Sequence, residues 1–462
     1  MKRIRVRVLM IMIVAVFFFM QNLQTACALT EDPIQKLVSD FQKETKCKSI
    51  SVVVYDQGEI SYYGDSDCLY QIGSMTKAFT GLAIQKLIYT GQISLEDNIS
   101  NYIPGFEAFY EKNSVNITIR DLLEQKSGYT NSEKEYPSAT KDMTLSDWVQ
   151  SISGKELKFL TGTEYAYSNV NYNLLGYIIE QASGLSYLEY MEKEVLIPLK
   201  LNNTYVIRPE GGNVEEGTRL GYRMTFAFPI SVREASIPAG YFYSNANDMG
   251  RWIEIFTGNA DIPKELEIPI EMIKESIVDV HDYYSGWECF EDNVIGHSGG
   301  TPNYSSRICF SDSENVGVCV LTNLNVAAST DSLCNMIFNL KLNREIDRLS
   351  CDVWTIFDTV FTWISVVCIF LSGVVILNRS RKINILLLIS LVILLILLVV
   401  LLPMIFAADL MSILLTWAPW SLLGGMILMI INILMIAVNL VIGKKNENYF
   451  KAGRKSAVDG NS

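Results

Sequence analysis

Apolar and polar positions follow three different rhythms along the chain. Over residues 32–46 apolar side chains return at helical spacing and predict an amphipathic helix. Two short runs rich in β-branched and aromatic residues follow, at 49–56 and 59–64, and turn at Gln57-Gly58, which reads as a hairpin. An apolar stretch from Ala78 to Ile84 predicts a helix opened by Ser74, and residues 172–182 predict another, ended by Ser183-Gly184. Strand-like runs return only at 294–295, 304–310 and 316–321, before a helical stretch at 331–342. A sheet assembled from both ends of one domain, with a mostly helical middle inserted, accounts for that separation.

The third rhythm is an absence of polar positions. Three charge-free apolar runs close the chain, and they predict membrane spans at 359–377, 383–406 and 421–442. Trp417 and Trp420 around Pro419 read as an interfacial lead-in to the last span. At the other end, Lys2, Arg3, Arg5 and Arg7 precede an apolar core too short to span a bilayer, and Ala26-Cys27-Ala28 offers a cleavage site. Residues 1–28 therefore read as a signal peptide, 29–352 as an extracytoplasmic domain, 353–443 as a three-helix membrane domain and 444–462 as a tail. Basic residues sit in the 379–382 connector and in the tail, whereas the turn between spans two and three carries only Asp409. The positive-inside rule then puts the C-terminus in the cytoplasm and the large domain outside the cell membrane.

Charge and cysteine content narrow the picture. The chain carries a net charge of −12. The four basic residues of 1–28 and the four net positive charges of 353–462 leave −20 on the outer domain. So acidic a surface argues against nucleic acid and other polyanionic partners. Two histidines and the absence of any C-x-x-C argue against a zinc site, and no metal or organic cofactor is expected. Cys47 and Cys68 flank the hairpin, and a two-residue turn would bring them opposite one another. A disulfide and two free buried thiols both fit that spacing.

Candidate chemistry begins at Ser74-Met75-Thr76-Lys77. A Ser at a helix mouth sits where free backbone N–H groups favour developing negative charge. Lys77, three positions on, returns to the same helix face and can exchange a proton with the hydroxyl. Ser138-Ala139-Thr140-Lys141 has the same spacing but follows Pro137 in a polar stretch, and reads as a solvated loop. A second motif is Tyr167-Ser168-Asn169. An unperturbed phenol titrates near ~10, so Tyr167 is a base at neutral pH only if a cation such as Lys77 lowers it. The third is Gly296-His297-Ser298-Gly299-Gly300, which matches a nucleophile elbow by letter only. No His follows Ser298, so the triad order of that fold cannot be completed.

Together, Ser74-x-x-Lys77, Tyr167-x-Asn169 and His297-Ser298-Gly299 resemble the serine β-lactamase and penicillin-binding-protein superfamily, in its class C branch, over residues 32–342. The resemblance implies an α+β sandwich with an antiparallel sheet and a helical insertion. It implies that Ser74 attacks an amide or ester carbonyl to form an acyl-enzyme, while Lys77 and Tyr167 move the protons. Asn169 would hold the acyl side chain, and the backbone N–H groups of Ser74 and Gly300 would form the oxyanion hole. His297, Ser298, Gly299 and Asn303 would line the substrate cleft. Many relatives carry Lys where His297 stands; a largely neutral imidazole grips a carboxylate more weakly, so β-lactam turnover is expected to be weak or absent. Gln125-Lys126 also replaces the His-Thr of many relatives.

The layout of signal, class C-like domain and three spans is similar to that of the colibactin- and zwittermicin-activating prodrug peptidases. The expectation is therefore a membrane-anchored peptidase or amidase acting on D-configured or acylated peptides, including peptidoglycan-type substrates. An esterase or a β-lactamase is the alternative within enzymes, and a penicillin-binding sensor module the alternative outside them. The uncharged spans argue against ion transport but permit docking to an exporter or to a second copy of the chain.

Overall fold

A computed structural model of the protein describes residues 32–280, 283–290, 294–377 and 380–459. The expected signal peptide lies outside them. Helix α1 (Pro33–Thr45) starts at Asp32, whose carboxylate accepts the Ile34 N–H at 2.8 Å, and stops at Lys46 in the left-handed region. Strands β1 (Ile50–Asp56) and β2 (Glu59–Gly64) form the expected hairpin, with Asp56 opposite Glu59. Residues 50–55 of β1 are all buried because both of its faces are covered. Val53 and Tyr55 join the main core, whereas Val52 and Val54 join a second core beneath α1.

Next come helix α2 (Thr76–Tyr89), helix α3 (Asn169–Ser183) and a short hairpin of β3 (Thr218–Gly221) and β4 (Met224–Ala227). The chain then returns to the sheet with β5 (Tyr283–Tyr284), β6 (Trp287–Phe290), β7 (Val294–Thr301), β8 (Tyr304–Ser311) and β9 (Val316–Thr322). The seven strands lie in the order β2-β1-β9-β8-β7-β6-β5, antiparallel at every pairing. The first strands of the domain therefore pair with its last one, and the helical middle packs over one face. Helix α4 (Ala327–Lys341) joins α1 over the other.

The cysteine question resolves against a bridge. Pairing of β1 with β2 ends at Ser51 and Gly64, and the two flanking segments then part. Cys47 falls in the core beneath α1 and Cys68 in the main core, so they lie on opposite faces of the sheet. Both are free thiols. The Cys47 Sγ donates to the Ser49 carbonyl at 3.1 Å, and the Cys68 Sγ lies 3.6 Å from the Glu215 carboxylate.

Among the described residues three helices are long and apolar enough to cross a membrane: α5 (Val353–Leu377), α6 (Arg381–Phe406) and α7 (Trp420–Asp459), the last over Trp420–Val441. α5 starts six residues before the expected span. Asp358, whose charge marked the sequence boundary, is buried in the helix and accepts from Ser421 Oγ at 2.7 Å and from the Arg223 N–H at 2.8 Å. The β3–β4 hairpin carries the contact between the large domain and these helices. Arg219, buried in β3, donates from Nε to the carbonyl of Ala418 at 2.5 Å, from Nη1 to Leu415 at 2.7 Å and from Nη2 to Leu414 at 2.6 Å. Pro419 ends the helical segment there, so these carbonyls lack amide partners ahead of them, and the guanidinium fork supplies them.

Candidate active site

Strand residues Tyr70 and Gln71 lead into a 3₁₀ turn, Gly73–Met75, on which Ser74 sits two residues before α2 begins. Thr76 fixes the turn: its hydroxyl donates to the Gly73 carbonyl at 2.7 Å and accepts the Phe242 N–H at 3.1 Å. Ten consecutive residues of α2, Thr76 to Gln85, are buried, so its first turn is anchored on all sides. Ser74 keeps partial exposure, whereas Lys77 is fully buried.

The Lys77 amine has three oxygen neighbours: Ser74 Oγ at 3.1 Å, Asn169 Oδ1 at 2.8 Å and the Ala239 carbonyl at 2.5 Å. Two of these can only accept; the third is a hydroxyl that can also donate. A neutral amine has two N–H groups and one lone pair, so it satisfies both acceptors and still receives the Ser74 proton. Burial agrees with that state, because it holds Lys77 well below the usual amine range, opposed only by the more distant Glu288 carboxylate. The turn Ser285-Gly286 packs against the backbone of α2 at Lys77 and Ala78. A side chain at Gly286 would come within 2.3 Å of the backbone at Lys77 and Ala78, so only glycine lets β5 and β6 press against α2 there.

Tyr167 brings its ring within 4.8 Å of the Lys77 Nζ, and its hydroxyl bonds to Ser74. The expectation of a phenol lowered by a lysine cation does not hold. Burial raises the Tyr167 hydroxyl well above its ordinary value, the Ser74 bond opposes this only in part, and the neighbouring amine is itself disfavoured as a cation. Tyr167 is therefore a neutral phenol at rest, and the Lys77 amine is the group beside Ser74 that burial leaves with a free lone pair. Gln125, noted in the sequence only as a departure from relatives, places this motif. From a left-handed backbone its Oε1 accepts the Ser168 N–H at 3.0 Å, and its carbonyl accepts the Ala166 N–H at 2.8 Å. Asn169 opens α3 exposed to the cleft; its carbonyl oxygen is engaged by Lys77, which leaves the amide NH₂ for a ligand.

Strand β7 forms the opposite wall. At Gly73, with φ +52°, a Cβ would lie 2.6 Å from the Gly300 nitrogen, so glycine is required for the 3₁₀ turn to meet β7 this closely. The backbone nitrogens of Ser74 and Gly300 are thereby brought to one rim, and a Cβ built on Gly300 points into open space. Gly299 lies flush against the turn, and Ser306 Oγ ties the same turn to β8 by donating to the Ile72 carbonyl at 2.8 Å.

Three of the residues expected to line the cleft do something else with their side chains. His297 is buried, with Nδ1 2.6 Å from the Ser298 carbonyl and Nε2 3.4 Å from the Tyr283 hydroxyl. The carbonyl can only accept, so the proton sits on Nδ1 and the ring is neutral. Burial lowers its pKa to about 3, which removes it as a carboxylate grip more completely than an ordinary imidazole would be. Ser298, one residue on, faces the other side of the sheet and accepts from Arg307 Nη1 at 2.8 Å. Asn303 is buried and spent on structure: Nδ2 donates to the Phe228 carbonyl at 2.8 Å and Oδ1 accepts from Thr301 at 3.1 Å. Missed from sequence were the Ala239 carbonyl, a backbone group without a residue signature, and Tyr283, whose two-residue strand gives no periodic signal.

The walls that remain are aromatic. Tyr283 lies with ring centroids 6.0 Å from both Tyr165 and Tyr167, and 5.8 Å from His297. Among the described residues no cluster of His, Cys, Asp and Glu could hold a metal ion. Ser138 and Lys141 lie in an irregular segment, as expected, with Ser138 bonded to Glu133.

Comparison with known proteins bears on the family and the fold. A family model described as Beta-lactamase matches residues 34–336. Protein flp of Staphylococcus aureus (strain N315) is 29% identical over 434 residues, covering 84% of this chain and 86% of its own. A crystal structure of a class C beta-lactamase superposes with a TM-score of 0.54 at 17% identity, over 63% of this chain and 92% of that one. The beta-lactamase/D-alanine carboxypeptidase from Pseudomonas syringae gives 0.57 at 16% identity, over 68% and 98%. Both structures share the fold.

Proposed function

The chain belongs to the beta-lactamase family, and from that premise we propose that it is a membrane-anchored serine hydrolase that cleaves acylated or D-configured peptide amides through an acyl-enzyme on Ser74. The observation that carries this reading is the set of partners around Lys77. The neutral amine takes the Ser74 proton as Oγ bonds to the substrate carbonyl carbon. The carbonyl oxygen becomes an oxyanion, held by the N–H groups of Ser74 and Gly300. As the C–N bond breaks, Tyr167 gives its proton to the leaving nitrogen and recovers one from the Lys77 ammonium. Water then attacks the ester, its proton passes back through the same pair to Ser74 Oγ, and the free acid leaves.

Substrate choice follows from what the cleft lacks. With His297 buried and neutral, no fixed cation stands on β7 to receive a substrate carboxylate. Tyrosine rings and the Asn169 amide favour uncharged acyl groups instead. This supports an acyl-peptide amidase over a carboxypeptidase or an efficient β-lactamase, although one structural neighbour is a beta-lactamase/D-alanine carboxypeptidase. The large domain is assigned to the outside of the cell membrane and the C-terminus to the cytoplasm, from the basic connector and tail.

The test is a hydrolysis screen of the full-length protein on acyl-D-amino-acid amides, D-Ala-D-Ala peptides, short esters and a chromogenic cephalosporin, with Ser74→Ala as the blank. Turnover of acyl amides together with fluorophosphonate labelling of wild type alone is expected. Efficient cephalosporin hydrolysis would contradict the specificity. Labelling without release of free enzyme would replace the hydrolase with a sensor.

A further inference from the structure

Away from Ser74, a cavity of about 380 Å³ opens where the large domain meets the start of α5. Its lining combines one cation, several hydroxyls and an apolar side, and it includes Arg223, Thr355, Thr359, Ile356 and Val360. Arg223 is used incompletely. Its backbone N–H, not its guanidinium, meets Asp358, and the guanidinium donates from Nη1 to Thr359 Oγ1 at 2.9 Å. Thr355 lies beside it, 7% exposed, and its hydroxyl has no hydrogen-bond partner among the described residues. A buried hydroxyl left unpaired in a cavity beside a guanidinium marks a place where a polar ligand atom belongs.

The apolar side says what kind of ligand. Ile356 and Val360 are half exposed, and the same face continues down α5 through Trp363 and Val367 into the stretch that crosses the bilayer. A ligand seated here would have its polar end against Arg223 and a hydrocarbon end lying along that stripe. We propose that this cavity is a phospholipid site, with the phosphodiester held by the Arg223 guanidinium and the Thr355 hydroxyl and an acyl chain running along Ile356, Val360 and Val367. Glu44, exposed on the rim, completes the chemistry. A carboxylate next to the phosphate position disfavours anionic headgroups and favours those that end in an ammonium, as in phosphatidylethanolamine.

The proposal is independent of what Ser74 does, and its readout is binding. Full-length protein, purified in detergent, would be titrated with phosphatidylethanolamine and phosphatidylglycerol and examined by native mass spectrometry. Wild type is expected to hold one phospholipid through detergent exchange, with the ethanolamine lipid preferred. Arg223→Gln should weaken binding about ten- to a hundredfold, the scale of a lost charge-assisted contact, and Arg223→Lys should lose less. The exposed Glu44→Lys change leaves the fold alone and should reverse the headgroup preference. Equal retention by wild type, Arg223→Gln and Glu44→Lys would overturn the proposal, as would the absence of any bound lipid. Full displacement of the lipid by inorganic phosphate would overturn it as well, by assigning the cavity to a free anion.

Discussion

Among the buried basic side chains of the described residues, Lys77 lies beside Ser74 and Arg219 lies where the large domain meets the membrane helices. Each is held by three oxygens of uncharged groups, and burial lowers the pKa of both. The outcomes differ because the starting points and the partners differ. An amine starts near 10.5 and falls well below it, and one of its partners is a hydroxyl that can hand it a proton. A guanidinium falls only to about 10, remains charged at neutral pH, and meets three carbonyls that can only accept. Trp420 and Phe228 cover it with ring faces 4.0 and 4.8 Å away, which suits a planar cation. The same desolvation therefore leaves one residue able to take up a proton and the other a charged fastener.

Removing the proton switch should have the largest effect. Lys77→Arg keeps a positive charge but cannot release it, so kcat/KM should fall about 10²- to 10⁴-fold, the range for loss of a general base. In wild type, kcat/KM should rise with pH along an acid limb set by the lowered Lys77 pKa, and the variant should lack that limb. A pH–rate profile of both proteins checks this; an unchanged limb in Lys77→Arg would move the base elsewhere.

Next in size is the fastener. Arg219→Met strands the carbonyls of Leu414, Leu415 and Ala418, which should weaken the dock by about 3 kcal/mol if only part of their hydrogen bonding is replaced by water. Limited proteolysis should then cut the 218–227 hairpin while fluorophosphonate labelling of Ser74 proceeds nearly as in wild type. Loss of labelling in parallel with cleavage would show that the two regions are not separate, and Asn303, which joins β7 to Phe228, is the bridge through which that would happen.

The two regions also differ in how far they could be read from sequence. Ser74 and Lys77 stand one helical turn apart, so their proximity could be anticipated from helix geometry, whereas Tyr167 and Asn169 were expected to join them only because the three motifs together resemble the family. The late return of strand patterns likewise anticipated a sheet closed by β1 against β9. What side chains do on β7 could not be read, because a strand alternates its faces and the letters do not say which face is the cleft. His297 and Ser298 point to opposite sides for that reason. Asn303 is consumed by a hairpin distant in sequence, and Arg219 contacts carbonyls almost two hundred positions away, neither of which leaves a local pattern. Asp358 hid the start of α5 because its partners, Ser421 and the Arg223 backbone, come from other segments.

A stability measurement sharpens the contrast on the lysine side. At neutral pH the unfolded chain protonates Lys77 and the folded chain resists doing so, so stability should rise with pH between the lowered folded value and the ordinary value of 10.5. Lys77→Met abolishes that linkage and leaves a buried apolar chain of similar length. Its melting temperature should exceed that of wild type at neutral pH while its activity is lost, and the difference should shrink as the pH is raised. A lower melting temperature at all pH values would mean that the bonds to Asn169 and Ala239 outweigh the cost of keeping the amine neutral.

The smallest effect is expected from exchanging the chemistry at the dock. In Arg219→Lys the shorter amine needs all three N–H groups to reach three acceptor-only carbonyls, and it has three only when protonated. Burial lowers its pKa, so the dock should hold near neutrality and lose about 1 kcal/mol, roughly one hydrogen bond, as the pH rises through that value. Wild type should show no such step, because Arg219 stays charged up to about 10. Hairpin proteolysis compared at neutral and mildly alkaline pH reads the difference directly. If both proteins respond alike, the fastening force is packing against Trp420 and Phe228 rather than a retained proton, and the parallel with Lys77 ends at burial.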